Sequence, residues 1–386
     1  MGGRRRLIER HSLGAMTRTR SRLGVLDART LNRALLERQL LLRRKRVPPL
    51  EVVERLVAMQ AQVPRDPYVA LWSRLDRSRP EALAEPIAER RAVRMTLLRG
   101  TLHLVTARDA LGLRSLIQPV IEGVLYGSSP LKSAVGSVDT ADLLRLIRDL
   151  LEERPRTRAE LVRAIAERWP DDDATSLGYA MYLIPTVQVT PRGVWGQTGR
   201  SAFTTVDAWL GRAVEPYVEP DEMLLRYLAA FGPSTVADAQ AWSGLSGLRG
   251  AFERLAPRLR TFTDERRREL FDVPNGPIPK ATTPAPPRFL PEYDNLLLAH
   301  KDRGRIISQT GVPTWTEVGW GTVLVDGFVA ARWKLEQDGT EATLRVEPIG
   351  KMAREDRTAV SEEGKRLAEF LAPDAARRRV RFETAR

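Results

Sequence analysis

Residues 234–255, STVADAQAWSGLSGLRGAFERL, decide how the fold is read. Two short helical patterns flank the turn Ser243-Gly244-Leu245-Ser246-Gly247, which is the outline of a helix-turn-helix. A third helical pattern, EPDEMLLRYLAAFG (219–232), precedes it, and LRTFTDERRRELFDV (259–273) follows as a charged hairpin. One helical hairpin is weak testimony, but the same order of elements occurs upstream. There SVDTADLLRLIRDLLEE (137–153) is amphipathic, and RTRAELVRAIAERW (156–169) sets Thr157 three residues before Glu160, the spacing of a capping box. VQVTPRGVW (187–195) then reads as two short strands about a Pro-Arg-Gly turn. Helices followed by a strand pair, twice over, predict tandem winged helices. The repeat lies in the order of elements rather than in residue identity.

Nearer the N-terminus, DARTLNRALLERQLLL (27–42) carries leucines at helical spacing behind Asp27 as cap. PPLEVVERLVAMQ (48–60) starts with prolines where a first turn tolerates them and reads as helix to Met59. TLHLV (101–105) alternates like a strand, and TARDALGLRSLI (106–117) opens a helix with Thr106 as cap. The expected organisation is α+β: a disordered basic arm over 1–26, then winged-helix units over 27–136, 137–215 and 216–280. Residues 281–386 would supply a Pro-rich linker and a β-rich C-terminal segment packing back on the first unit. Asp326-Gly327 and Asp338-Gly339 are its hairpin turns, SEEGKRLAEFLA (361–372) a closing helix, and ARRRVRFETAR (376–386) a basic tail.

Composition narrows the chemistry. The 386 residues hold no cysteine, so disulfides, iron–sulfur clusters, thiol catalysis and thiolate zinc sites are excluded. With only three histidines, His11, His103 and His300, no metal and no cofactor are expected. A net charge of +13 invites a polyanion, nucleic acid being the commonest, although free use of arginine on solvated faces would give the same surplus. No apolar run approaches the roughly 20 residues that span a bilayer. The start, rich in arginine, lacks the apolar centre of a secretory signal, so a cytoplasmic, nucleoid-associated protein with no membrane partner is expected. Phosphate loops ending in Gly-Lys-Ser/Thr, G-x-S-x-G elbows and H-E-x-x-H are all missing.

What remains is hydrogen-bonding chemistry. Gln60 and Gln62 stand one residue apart, just before the breaker run Val63-Pro64-Arg65-Asp66-Pro67. Carboxamides do not titrate usefully near neutral pH, yet they accept and donate at once, so two of them can hold a water at a defined angle. That suits an electrophile already activated, such as a cationic alkylated purine whose C1′–N bond breaks with oxocarbenium character. The bland reading is that both glutamines solvate a helix end. His103, on a strand face with Thr101 and Val105, reads as a phosphate or water contact, or as a structural donor. Arg99 reads as a phosphate contact or as cover for apolar surface. Tyr293, between Glu292 and Asp294, can stack on a base or pack at a junction; the two acids should organise a turn and pair with Arg303 or Lys301. Trp195 braces the 187–195 hairpin or touches DNA. Arg192 in that hairpin, and Arg266, Arg267 and Arg268 in the next, are candidate phosphate contacts.

MQAQ…P…YVALWSRL (59–75), RGTLHLV (99–105), VWGQTGRSAFTTVDAWL (194–210), LPEYDNLLLAHKDR (290–303) and VLVDGFVAARWKLE (323–336), in this order, resemble the winged-helix DNA-binding family that includes the AlkZ-like DNA glycosylases. The resemblance spans about 28–372. It implies three winged helices set as a C around duplex DNA, with inserted β structure and no metal. It also implies a Gln-x-Gln motif, here Gln60-Ala61-Gln62, that carries release of N7-alkylated purines, in some members bulky adducts or interstrand crosslinks. The middle residue is usually bulkier, so Ala61 would widen the pocket. The reading is a monomeric, monofunctional glycosylase for cationic N-alkylpurines in duplex DNA, with Gln60 and Gln62 catalytic. Its rival is a winged-helix DNA-binding protein without catalysis, a regulator or damage-recognition factor, which should read a sequence on paired half-sites.

Overall fold

The structure is a computed structural model that describes residues 22–134, 136–217, 219–307 and 319–383. Its first element, β1 (Arg22–Leu26), runs parallel to β8 (Arg260–Asp264), which in turn pairs with β9 (Glu269–Asp272). The end of the expected disordered arm is therefore a strand. β8 offers an open edge, and main-chain pairing there is joined by packing of Leu26 against Leu31 and Phe262. The rest of the arm, 1–21, lies outside the described residues.

Helix α1 (Ala28–Arg38) begins where Asp27 accepts from Thr30 N, as expected. Helix α2 (Pro49–Arg55) stops before Met59. Val57 takes a left-handed backbone, φ 68°, which no helix continues through, and its complete burial offsets the strain. The chain then straightens into β2 (Met59–Gln60), so the first glutamine sits on a strand and not at a helix end. Helix α3 (Asp66–Arg74) follows, then α4 (Glu81–Ala88), β3 (Ala92–Thr96), β4 (Leu102–Thr106) and α5 (Ala107–Ser128), the last capped by Thr106 accepting from Asp109 N.

β2 is one edge of a six-stranded sheet ordered β2-β4-β3-β6-β7-β5, completed by β5 (Arg156–Thr157), β6 (Thr186–Gln188) and β7 (Ala202–Thr205). The sheet runs without interruption across residue 136. The capping box of Thr157 and Glu160 is present at the helix Arg158–Arg168. The strand pair expected over 187–195 is wider: β6 ends at Gln188, β7 starts at Ala202, and Trp195 lies in the connection. Its ring packs against Tyr68 and Phe370, with centroids 5.0 and 5.3 Å distant.

The opening stretch forms two helices, Val236–Ser243 and Arg249–Leu255, preceded by Asp221–Phe231 and followed by the β8–β9 hairpin. Gly244 ends the first of them at φ 85°, and a Cβ there would come within 2.7 Å of Val120 and 3.2 Å of the Arg99 Cα. A third sheet, β10 (Arg288–Leu290), β11 (Gly321–Val325), β12 (Phe328–Asp338), β13 (Glu341–Pro348) and β14 (Arg377–Phe382), turns at both Asp-Gly pairs. The helix Arg354–Leu371 covers this sheet, whose core also takes Val69 and Trp72 of α3. The basic tail is not a tail. Residues 377–382 pair in parallel with β13, Val380 and Phe382 packing inward while Arg377, Arg379 and Arg381 alternate outward.

Candidate active site

The two glutamines differ sharply in surroundings. Gln60 lies opposite His103 in the β2–β4 pairing and is 7% exposed. Its Nε2 donates to Thr101 Oγ1 at 3.1 Å, and its Oε1 accepts from Arg99 Nη2 at 3.2 Å. Gln62 is exposed beyond the strand end, and its Oε1 accepts from the Leu102 N–H at 3.2 Å. The chain between them is fixed from both sides: Ala61 N donates to the Leu102 carbonyl at 2.9 Å, and the Ala61 carbonyl accepts from Arg94 Nη2 at 2.7 Å. One residue before the strand, the Ala58 carbonyl accepts from Asn295 Nδ2. The motif is thus a short rigid segment that offers one amide to solvent and keeps the other inside.

Two arginines do most of this fixing. Arg94, 2% exposed on β3, also donates to Gln188 Oε1. Gly193 makes room for it, since a Cβ there would stand 2.7 Å from Arg94 Cδ. Arg99 adopts a left-handed φ of 55° and donates its other arm to the Trp242 carbonyl, tying the motif to the helix Val236–Ser243. Burial pushes each guanidinium down to about 10, still cationic near neutrality. Arg99, read as a phosphate contact, is a strut inside the protein. His103 is 0% exposed and cannot meet a phosphate. Its Nδ1–H donates to the Thr101 carbonyl at 2.8 Å, and burial, helped by the Arg99 charge, pushes its pKa down to about 3. The neutral ring braces the strand that faces Gln60. Thr101 also donates from Oγ1 to the Leu98 carbonyl at 3.1 Å, which leaves a lone pair of that oxygen to accept from Gln60 Nε2.

The remaining candidates scatter. Trp195 packs against Tyr68, whose hydroxyl accepts from Trp195 N at 3.0 Å and donates to the Gly193 carbonyl at 2.8 Å, so it braces. Arg192 is half-buried, and its Nη1 donates to the Gly199 carbonyl at 3.1 Å. In the β8–β9 turn, Arg266 and Arg268 pair with Asp302 at 2.8 and 3.0 Å, while Arg267 stands exposed at φ 60°. Asp294 pairs with Arg74, at 2.8 Å for both oxygens, instead of the expected Arg303 or Lys301, because α3 brings that buried cation alongside. Tyr293 is partly exposed, and its phenol is pushed up to about 12 by burial and by the neighbouring Glu292. Beside it Asp66, 5% exposed, is pushed up to about 7 by burial and then by Glu292.

Sequence reading missed a hollow of about 360 Å³ that opens at Gln62. It is lined by Arg94, Gln188 and Phe203 of the sheet, by Val124 and Leu125 of α5, and by Tyr179 and Tyr182. GYAMYLIP (178–185) reads only as an apolar run, and nothing local says that it faces the motif. Arg94 did leave a signal, a lone cation in the apolar strand AVRMT. Among the described residues no group of three or more histidines, aspartates or glutamates could hold a metal, and no helix is long and apolar enough to cross a membrane.

Residues 53–370 match the family described as DNA glycosylase AlkZ-like. The chain belongs to that family. AlkZ-like proteins are DNA glycosylases, so this chain is a DNA-binding repair enzyme whose substrate is DNA. A comparison with curated proteins gives no match. Among solved structures, the chain is similar to the DNA glycosylase AlkZ of Streptomyces sahachiroi, with a TM-score of 0.70 and 22% identity, covering 93% of this chain and 100% of that one. At that identity the likeness establishes a shared mixed α+β fold.

Proposed function

We propose that this AlkZ-like chain is a monofunctional glycosylase that releases cationic N-alkylated purines, N7-alkylguanine first among them, from duplex DNA. The observation that carries the reading is the divided pair: Gln62 faces solvent at the mouth of a hollow, while Gln60 is held by Arg99 and Thr101. The C1′–N bond breaks first, its electron pair leaving with the base, which departs neutral. Gln62 Oε1 then orients a water toward C1′ and offers its dipole to the oxocarbenium ion. Water oxygen bonds to C1′, its proton passes to solvent, and an abasic site remains with no strand cleavage. Gln60, His103 and Thr101 hold the motif in register. The helices of 137–215 and 216–280, with their strand pairs, act as winged helices arranged about the duplex with the unit of 27–136, and the protein works as a monomer. Arg192, Arg267 and Tyr293 supply contacts to phosphate or base.

Single-turnover release of 7-methylguanine from a methylated duplex tests this. Gln62→Ala should lose roughly 10²–10³-fold in rate while DNA affinity at fixed salt is unchanged, the usual cost of deleting one positioned dipole. Gln60→Ala should also lose rate, through displacement of Gln62. Wild type that binds DNA and releases nothing from either a methylated or a bulky-adduct duplex would end the reading.

A further inference from the structure

The segment 292–295 grips the chain on both sides of the glutamines. Upstream, Asn295 Nδ2 donates to the Ala58 carbonyl, one residue before β2. Downstream, Asp294 accepts from both arms of Arg74, the last residue of α3, at 2.8 Å each. The third grip lies at the start of α3, four residues after Gln62, where Asp66 adjoins Glu292. Asp66 is 5% exposed, and its backbone N–H donates to the Val63 carbonyl at 3.1 Å, closing the turn that leads away from Gln62. Here two side-chain oxygens are buried and have no hydrogen-bond partner among the described residues, Asp66 Oδ2 and Glu292 Oε1. Two ionised carboxylates cannot satisfy one another, since each only accepts. One proton between them satisfies both.

The other charges around Asp66 are engaged elsewhere or lie in solvent. Asp294 is taken by Arg74, and Arg94 of β3 directs its two Nη groups to Gln188 and to the Ala61 carbonyl. Arg65, the preceding residue, is exposed. The Tyr293 phenol hydrogen-bonds to Glu292, while its amide, like the start of α3, favours an anion at Asp66. Burial and Glu292 outweigh these and push the Asp66 carboxyl up to about 7.

We propose that Asp66 is a positioning residue: it donates a proton from Oδ2 to Glu292 Oε1, and this bond anchors the turn that carries Gln62. The proposal rests on the glycosylase reading above and adds a control on it. When Asp66 ionises, the bond is gone, two adjoining carboxylates repel, and the turn after Gln62 loses its hold. Release of the base should then slow as pH rises. The groups that hold the motif do not titrate in that range: amides do not ionise, His103 is neutral above about 3, and Arg94 and Arg99 stay cationic up to about 10.

Single-turnover release of 7-methylguanine by wild type, Asp66→Asn and Glu292→Gln between pH 6 and pH 9 tests this. DNA affinity at fixed salt, thermal unfolding and the infrared band of protonated carboxyl are followed in parallel. Dividing the wild-type rate by that of Asp66→Asn at each pH removes any titration of the substrate. Asparagine donates without ionising, so the ratio should be near 1 at pH 6 and fall roughly 10-fold by pH 9, inside the roughly 10²-fold that a small misplacement of a catalytic group produces. DNA affinity should stay equal. Wild type at pH 6 should show a protonated-carboxyl band that fades around pH 7 and is missing from Asp66→Asn. In Glu292→Gln, which removes the neighbouring charge, the fading should move to lower pH. A flat ratio overturns the positioning role even where the band is present, and a band missing at pH 6 overturns the shared proton. If the band titrates as expected yet wild type frees no base at any pH, the glycosylase reading falls and takes the positioning role with it, while the shared proton stands.

Discussion

Arginine does opposite work in two parts of this molecule. In the interior, Arg38, Arg74, Arg94 and Arg114 are at most 2% exposed, and each meets carbonyl oxygens, amide oxygens or a carboxylate inside the protein. In the β8–β9 turn and on β14 the guanidiniums lie at the surface, sharing Asp302, Glu341 and Glu383 at distances from 2.8 to 3.6 Å. The lesson concerns the net charge of +13. Arg94 and Arg114 belong to that surplus yet sit inside the protein, held by neutral oxygens and out of reach of DNA. Among the described residues only seven arginines are buried, so a charge count overstates the electrostatic footprint by those few cations and conceals how the segment of Gln60 and Gln62 is held.

The sharpest way to break this contrast is Arg74→Ala. It strands the Asp294 carboxylate, 1% exposed at its side chain, with no cation, and cuts the link from α3 to the segment whose Asn295 holds Ala58. A loss of about 3–5 kcal/mol is expected by chemical denaturation, the usual result of halving a buried pair. Next comes Arg99→Met, which keeps length and removes the bridge from Trp242 to Gln60. Here the fold should survive and kcat should fall by up to about 10²-fold, since small misplacements of a catalytic group have that effect. KM for DNA should stay put. A rise in KM at constant kcat would return Arg99 to phosphate contact.

Much of this was legible in the sequence wherever the controlling interaction is local. The caps at Asp27, Thr106 and Thr157, the Asp-Gly turns and the helix pair of 234–255 all depend on residues within a few positions of one another. The Gln-x-Gln spacing of Gln60 and Gln62 was legible as a motif. Its backbone was not, because the helix ends at a left-handed Val57 that only its burial explains, and β2 exists only because β4 lies beside it. β14 read as a basic tail for the same reason: a strand at a sheet edge is made by its neighbour. The roles of Arg99 and Trp195 turn on partners more than 100 residues away, Trp242 and Tyr68.

The smaller effects separate interior from surface charge. Asp66 is an interior acid, facing Glu292 and Asp294 against only Arg65 and the more distant Arg94. Its pKa is raised above the unfolded value near 3.8, so the folded protein keeps a proton that the unfolded chain gives up. The associated stability is complete below pH 3.8 and is lost as pH rises through about 7. His103 has the opposite sign, since its pKa is lowered, and its contribution fades as pH falls. Asp66→Asn isolates the first effect: relative to wild type it should gain about 1–3 kcal/mol between pH 5 and pH 8, and an unchanged difference across that range would refute it.

Arg267 is the surface counterpart. It sits at the tip of the β8–β9 turn, exposed, while its neighbours on either side are occupied by Asp302. Among the described residues none holds its side chain, so Arg267→Ala should leave unfolding within about 0.5 kcal/mol of wild type. If the turn reaches the backbone of DNA, one phosphate contact disappears. The slope of log affinity against log salt should then fall by about 1, with affinity weakened evenly across sequences and the single-turnover rate untouched. Arg266→Ala should do less, because Asp302 already neutralises that charge, and removing it frees the acid to repel phosphate only slightly. Should Arg267→Ala change the rate but not the salt slope, the turn would belong with the motif's internal struts, and the division between buried and exposed arginines would have to be redrawn.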